Sequence, residues 1–198
     1  MPPRFTPRNR SPAVRRFNDG PLRARPPEDI AYDTGKSALG PILVASSGKG
    51  IVSILIGDKP GPLLRELQAR FPKANLVRNE KDCAPVVAKV VRYVAAPFGR
   101  FELPLDLRGT EFQIKVWREV QKIPFGQTSS YTQIAEAIGA PKAIRAVASS
   151  CTHCWLSFAV PCHRVLHKSG AQQAGRDPQA SRRLRWVDYE AKLPAGQR

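Results

Sequence analysis

The hydrophobic pattern of this 198-residue chain changes character once, close to Gly109. Upstream, β-branched apolar runs alternate with turn residues. Downstream, apolar side chains recur every three or four positions behind residues that cap helices. Such a chain is predicted to build a small antiparallel sheet first and to pack helices after it, an α+β architecture. Ile42–Ala45 and Ile51–Ile56 read as a hairpin joined through Ser46-Ser47-Gly48-Lys49-Gly50. Leu63, Leu64 and Leu67 give Pro62–Arg70 helical spacing; Asn75–Val77 is a short strand; Val86, Val90 and Val94 mark a helix over Pro85–Val94. Pro97 through Leu107 reads as an extended crossing between the two halves.

Residues 1–27 hold seven Pro and seven Arg against a single acid, Asp19, with too few aliphatics to offset the entropy of ordering the chain. Order is therefore expected to begin near Ala38. This divides the chain into a disordered basic arm (1–35), a sheet domain (36–106), a helical domain (107–192) and a short tail (193–198). The net charge is +16, and the first 35 residues carry only +3 of it, so the folded part is itself basic. That surplus favours a polyanionic partner, nucleic acid ahead of an anionic membrane. No apolar run approaches the roughly 18 residues that a membrane span needs. Met1-Pro2-Pro3-Arg4-Phe5 lacks an apolar signal core, so the cytoplasm is the expected compartment. There, Cys83, Cys151, Cys154 and Cys162 are expected as reduced thiols, metal ligands or a nucleophile rather than as bridges.

The helical half is signposted by its caps. Thr110 and Gln113 form a capping-box pattern ahead of Phe112, Val116, Val120 and Ile123, and Pro124-Phe125-Gly126 ends that helix. Ser130 caps a short helix, Tyr131–Ile138, that stops at Gly139. Pro141 then opens a second over Lys142–Thr152, with Ile144, Val147 and Cys151 inward and Lys142 and Arg145 outward. Two short helices about a glycine turn make a helix-turn-helix candidate, which in a basic chain points to DNA.

Chemistry concentrates at Pro161-Cys162-His163-Arg164-Val165. A cysteine is nucleophilic as thiolate, and a neighbouring base or cation favours that form. His163 and Arg164 supply such neighbours. An acid to orient the histidine has to come from elsewhere, and Glu190 is the candidate, near a stripe of Leu184, Val187 and Ala191 on the last helix. The competing reading makes Cys162 a buried apolar filler. Cys151-Thr152-His153-Cys154 has half of a zinc pattern without a second ligand pair, so no metal and no cofactor are expected. A Cys154–Cys162 disulfide requires the intervening strand to bend back.

The motif around Cys162 resembles the active site of the O6-alkylguanine-DNA alkyltransferases, also called methylated-DNA–protein-cysteine methyltransferases. The likeness extends through Gly109-Thr110-Glu111-Phe112-Gln113, Val116-Trp117, Ile123-Pro124-Phe125-Gly126, Ser130-Tyr131, Gly139-Ala140-Pro141-Lys142-Ala143 and Arg145-Ala146-Val147. It covers roughly Ala38 to Lys192 and looks closest to the C-terminal domain of bacterial adaptive-response regulators. The resemblance implies an RNase H-like N-terminal domain and a winged-helix-like C-terminal domain that reads the minor groove. It implies a monomer acting on duplex DNA with alkylated bases, such as O6-alkylguanine or O4-alkylthymine. Cys162, activated through His163 and Glu190, would take the alkyl group irreversibly. Arg145 would fill the gap left by an extruded base, Tyr131 would rotate its phosphate, and Lys142 would lie along the DNA. Two positions depart from the family pattern: Cys154 stands where a hinge asparagine is expected, and no tyrosine follows Gly170, where Arg176 or a backbone amide is the available substitute. A non-catalytic lesion-binding or regulatory protein of the same fold is the alternative.

Overall fold

The computed structural model describes residues 28–167 and 180–194. The basic arm up to residue 27 and the stretch of Gly170 to Pro178, including Arg176, lie outside the described residues, as does the side chain of Leu184.

Order begins earlier than the sequence pattern predicts. Strand β1 (Asp29–Ser37) is an interior strand, paired antiparallel with β2 (Gly40–Ser47) and parallel with β4 (Asn75–Arg78). With β3 (Gly50–Ile56) beyond β2, the sheet runs β3-β2-β1-β4. The expected arm boundary at residue 35 therefore falls inside β1. Asp29, Asp33, Gly35 and Lys36 are poor strand formers that mask β1, but two neighbours supply its ladder, Ile30 is fully buried, and Arg78 pairs with Asp33 at 3.3 Å. The sheet is thus mixed, with its one parallel pairing at β1–β4.

Alternation along β2 and β3 gives the sheet two apolar faces. Leu43, Ala45, Val52 and Leu55 pack on α1 (Pro60–Arg70) through Leu63 and Leu67. Ile42, Val44, Ile54 and Ile56 face α2 (Glu80–Ala95) through Val87, Val90 and Val94, and continue into the core of the helical half. Helix α2 starts before the expected Pro85, because Asn79 accepts from the Asp82 amide and caps it. Pro85 rides inside the helix.

The crossing between the halves is held to β3. Ile51 N–H donates to the Pro104 carbonyl and Asp106 N–H returns to Ile51, both at 2.9 Å. Further along the same edge, Ile54 N–H donates to Trp155 O at 2.8 Å and Ser157 N–H to Ile54 O at 3.4 Å. Gly50 has φ +141°, and a Cβ there would sit 2.6 Å from the Pro104 carbonyl oxygen, so the close approach of crossing to strand needs glycine.

The helical half follows its caps. Thr110 and Gln113 close the predicted capping box on α3 (Glu111–Val120), and Ser130 with Gln133 repeats it on α4 (Tyr131–Ala137). Helix α5 (Ile144–Thr152) starts two residues later than expected. Ala143 N–H first closes a separate turn onto Ala140, and Val147 to Ala143 is the first helical bond. Lys142 consequently lies in the turn, and Ile144, predicted inward, is 38% exposed at the protruding end of the helix. The inward face is Val147, Ser150 and Cys151, with Trp117 Nε1–H donating to Ser150 O at 2.8 Å. Two-residue strands β5 (Ser129–Ser130) and β6 (Val165–Leu166) pair in parallel, and α6 (Ala180–Lys192) closes the domain.

Trp117 also explains Gly109. A Cβ at Gly109 would lie 2.7 Å from two ring carbons of Trp117 and 2.8 Å from Gln113 Oε1. Gly109→Ala is expected to lower stability by about 1–3 kcal/mol, since relief requires shifting either a packed indole or the capping box. Denaturant unfolding of the two proteins measures it.

Candidate active site around Cys162

Cys162, His163 and Arg164 form a single 3-10 turn between the buried run Leu156–Val160 and β6. The turn is fixed at its entry, where Cys162 N–H donates to Val160 O at 2.7 Å. Cys162 is 6% exposed. Phe158, in the left-handed region at φ 63°, packs 5.1 Å from the His163 ring and 5.3 Å from Trp186.

The structure brings Glu190 to His163. Nε2 of the imidazole and Oε1 of the carboxylate are 2.9 Å apart in a site where His163 is 1% and Glu190 9% exposed. With Nε2–H donating to a carboxylate, the neutral ring carries its lone pair on Nδ1, the nitrogen of a general base.

Arg164, expected beside the thiol as a stabilising charge, is committed elsewhere. Its Nε donates to Glu190 Oε2 at 3.0 Å and its Nη2 to Oε1 at 2.8 Å, a two-pronged grip. Nη1 donates to Ile123 O at 2.9 Å, and the guanidinium carbon lies 5.6 Å over Phe125. Arg164 thus ties the turn that follows α3 to α6 and aims the carboxylate. Burial, the largest influence on Glu190, pushes its pKa up, but hydrogen bonds and charge from His163 and Arg164 outweigh it and hold the carboxyl at about 2.

The inward face of α6 departs from the predicted stripe at Val187 and Ala191. Trp186 and Glu190, one turn apart, face the core, whereas Val187 is half-buried and Ala191 exposed. The inward register is set by the ion pair and by Trp186 stacking edge-on to His163 at 5.8 Å. Two basic side chains beside one another at 163 and 164, with no acid nearby in sequence, are the signal that a distant carboxylate serves both.

The remaining predicted residues lie along the α4–α5 side. Tyr131 is buried at the start of α4, while Lys142 and Arg145 are exposed. An open groove of about 420 Å³ runs past Ser129, Ser130, Thr132 and Gln133 to Leu166 and His167, on the strand that leaves the Cys162 turn. Cys83, Cys151 and Cys154 are buried, no disulfide joins the cysteines, and among the described residues no group of three or more His, Cys, Asp or Glu is placed to hold a metal ion. Among the same residues no helix is long and apolar enough to cross a membrane.

Two family models match the chain: the ribonuclease-like domain of 6-O-methylguanine DNA methyltransferase over residues 30–107, and the DNA binding domain of 6-O-methylguanine DNA methyltransferase over residues 111–191. The methylated-DNA–protein-cysteine methyltransferase of Mycolicibacterium paratuberculosis is 48% identical over 141 residues, 71% of this chain and 81% of the relative. The bifunctional transcriptional activator/DNA repair enzyme Ada of Escherichia coli is 43% identical over 141 residues; the match takes in 71% of this chain and only 40% of Ada. The crystal structure of Mycobacterium tuberculosis OGT in complex with DNA aligns with a TM-score of 0.65 at 30% identity, covering 83% of this chain and 96% of that one. With both halves matched in order and two thirds or more of the Mycolicibacterium relative covered, this chain belongs to the methylated-DNA–protein-cysteine methyltransferase family.

Proposed function

We propose that this protein repairs duplex DNA in the cytoplasm by moving an alkyl group from O6 of guanine onto its own Cys162, acting as a monomer. The observation that carries the reading is the buried Glu190–His163 hydrogen bond next to Cys162, which sets the imidazole tautomer of a base. Relatives named for this reaction, and a relative solved with DNA, support it.

The chemistry is an in-line displacement. His163 Nδ1 accepts the Cys162 proton, directly or through one water, and Glu190 stabilises the imidazolium. The thiolate then attacks the alkyl carbon, the S–C bond forms as the C–O6 bond breaks, and guanine leaves with the electron pair and takes up a proton. The thioether has no route back to a thiol, so each molecule acts once. Because the target atom is inaccessible in a stacked duplex, the base has to be extruded. Arg145, exposed in the first turn of α5, fills the vacated stack, Lys142 neutralises phosphate, and Tyr131 at the head of α4 turns the backbone.

The test is to incubate the protein with duplex containing O6-methylguanine and weigh it intact. A gain of one methylene mass mapped to Cys162 is expected. Tight lesion binding with unchanged mass would instead establish a regulator of the same fold. Arg145→Ala is expected to slow transfer from duplex about tenfold, the equivalent of roughly 1.4 kcal/mol, and to leave transfer from free O6-alkylguanine unchanged; equal losses would remove the base-extrusion role.

A further inference from the structure

We infer that Arg70, on the sheet half of the molecule, is a positioning residue for the Cys162 turn and acts through Trp155. The inference rests on the transfer reading for its effect on rate, and on geometry for the clamp itself.

Arg70 is the last residue of α1. Its guanidinium carbon lies 5.2 Å from the centroid of a Trp155 ring and 6.0 Å from that of Phe71, and its Nη2 donates to the Arg108 carbonyl at 3.3 Å. That carbonyl belongs to an anchored residue. The buried Arg108 side chain donates to Asp106 at 2.6 and 2.9 Å, pairs with Glu28, and lies 5.4 Å over the other contact of Arg70, Phe71. Burial lowers the pKa of Arg70, and negative charge on Cys154 opposes that shift.

From Trp155 the path to the nucleophile has little slack. The Trp155 carbonyl accepts from Ile54 N–H at 2.8 Å and from Ser53 Oγ at 3.4 Å, so its backbone is pinned to β3 while its ring is held by Arg70. Leu156 bridges Ile54, and Val160 N–H donates back to Leu156 O at 2.9 Å. Between them Phe158 is in the left-handed region, a conformation a bulky residue keeps only where its surroundings over-determine it, and it presses on His163. Releasing the Trp155 ring removes one of the two ends against which that strained loop is braced. A planar guanidinium suits this task, because it stacks on an indole while still donating in its own plane, which an ammonium cannot do.

Three measurements test the clamp: the single-turnover transfer constant at saturating O6-methylguanine duplex, the affinity for that duplex, and amide hydrogen exchange over Leu156–Val165. Arg70→Ala is expected to lower the transfer constant roughly tenfold, because misplaced reacting groups lose rate before they lose binding. Affinity should stay within about twofold, since Arg70 ends α1 on the sheet half and is not on the α4–α5 side assigned to DNA above. Exchange should rise over Leu156–Val165 and stay unchanged in α2. Trp155→Ala should reproduce the loss, Trp155→Phe should keep most of the rate, Arg70→Lys should not restore it, and the double variant should be no slower than the slower single one. An unchanged transfer constant, a loss explained by affinity, or multiplying losses in the double variant would overturn the inference. Should Trp155→Ala fail to fold, Arg70→Ala and Trp155→Phe decide it. If the unaltered protein takes up no methyl group, the transfer reading falls, and unchanged exchange in Arg70→Ala would separately sink the clamp.

Discussion

Glu190→Ala is expected to cost about 3–5 kcal/mol of folding stability and to abolish alkyl transfer, because it strands a buried cation as well as removing the partner of His163. Arg164 is 4% exposed and gives two of its donors to this carboxylate; without it the guanidinium keeps only the Ile123 carbonyl and the face of Phe125. Glu190→Gln separates the two losses. The amide fills the same volume and retains an acceptor, but it carries no charge to balance Arg164 or an imidazolium.

The sign of the pH effect follows from the depressed pKa. The carboxyl titrates at about 2 in the folded protein against an ordinary 4.5. The group therefore contributes its full stabilisation above pH 4.5, loses it progressively as pH falls toward 2, and adds no pH dependence near neutrality. The depression corresponds to something on the order of 3 kcal/mol. Acid unfolding of the parent protein should show this slope, and Glu190→Gln should flatten it. A parallel acid dependence in the two proteins would mean that other carboxyls control acid stability.

The second large effect is at the nucleophile. Cys162→Ser is expected to lower transfer by about three orders of magnitude or more, while affinity for the lesion duplex stays within about threefold. The substitution is nearly isosteric and leaves the Cys162 N–H to Val160 bond in place, so the turn should keep its shape. What changes is the atom. A serine hydroxyl ionises far less readily than a thiol, and an imidazole that suffices for sulfur is too weak a base to supply the oxygen anion. Intact mass after incubation reads the chemistry, and competition binding reads the affinity. Residual transfer mapped to another cysteine would relocate the active sulfur.

The parts of the site written in local code were legible. Thr110 with Gln113 and Ser130 with Gln133 satisfy orphan amides within four residues, so such caps can be read without knowing the fold, and the second places Tyr131 at the head of its helix. Cys162, His163 and Glu190 were legible as candidates because each residue type has few inexpensive roles when buried. The misreadings came where distant partners decide. Strand β1 looks like a poor strand because its ladder is supplied from both sides by β2 and β4. Periodicity puts the α6 stripe on aliphatics, although Trp186 and Glu190 face inward; there a charge is the buried group, which hydrophobic periodicity is built to reject. Closeness in sequence points Arg164 at the thiol, yet its side chain reaches across to the turn after α3 and to α6. Nothing in the sequence marks Trp155, since its backbone partners lie about a hundred positions upstream in Ser53 and Ile54.

The outer side of β3 gives the molecule an engineering constraint. Ile51 and Ile54 find their backbone partners in two distant stretches, one at Pro104–Asp106 and the other at Trp155–Ser157. A fragment cut at Leu107 would retain the first staple and lose the second, leaving the Ile54 amide and an oily flank bare to solvent. Such a margin recruits strands from other copies and drives polymerisation. The halves are therefore poor candidates for transplantation singly, and a graft of the repair module has to carry both of them.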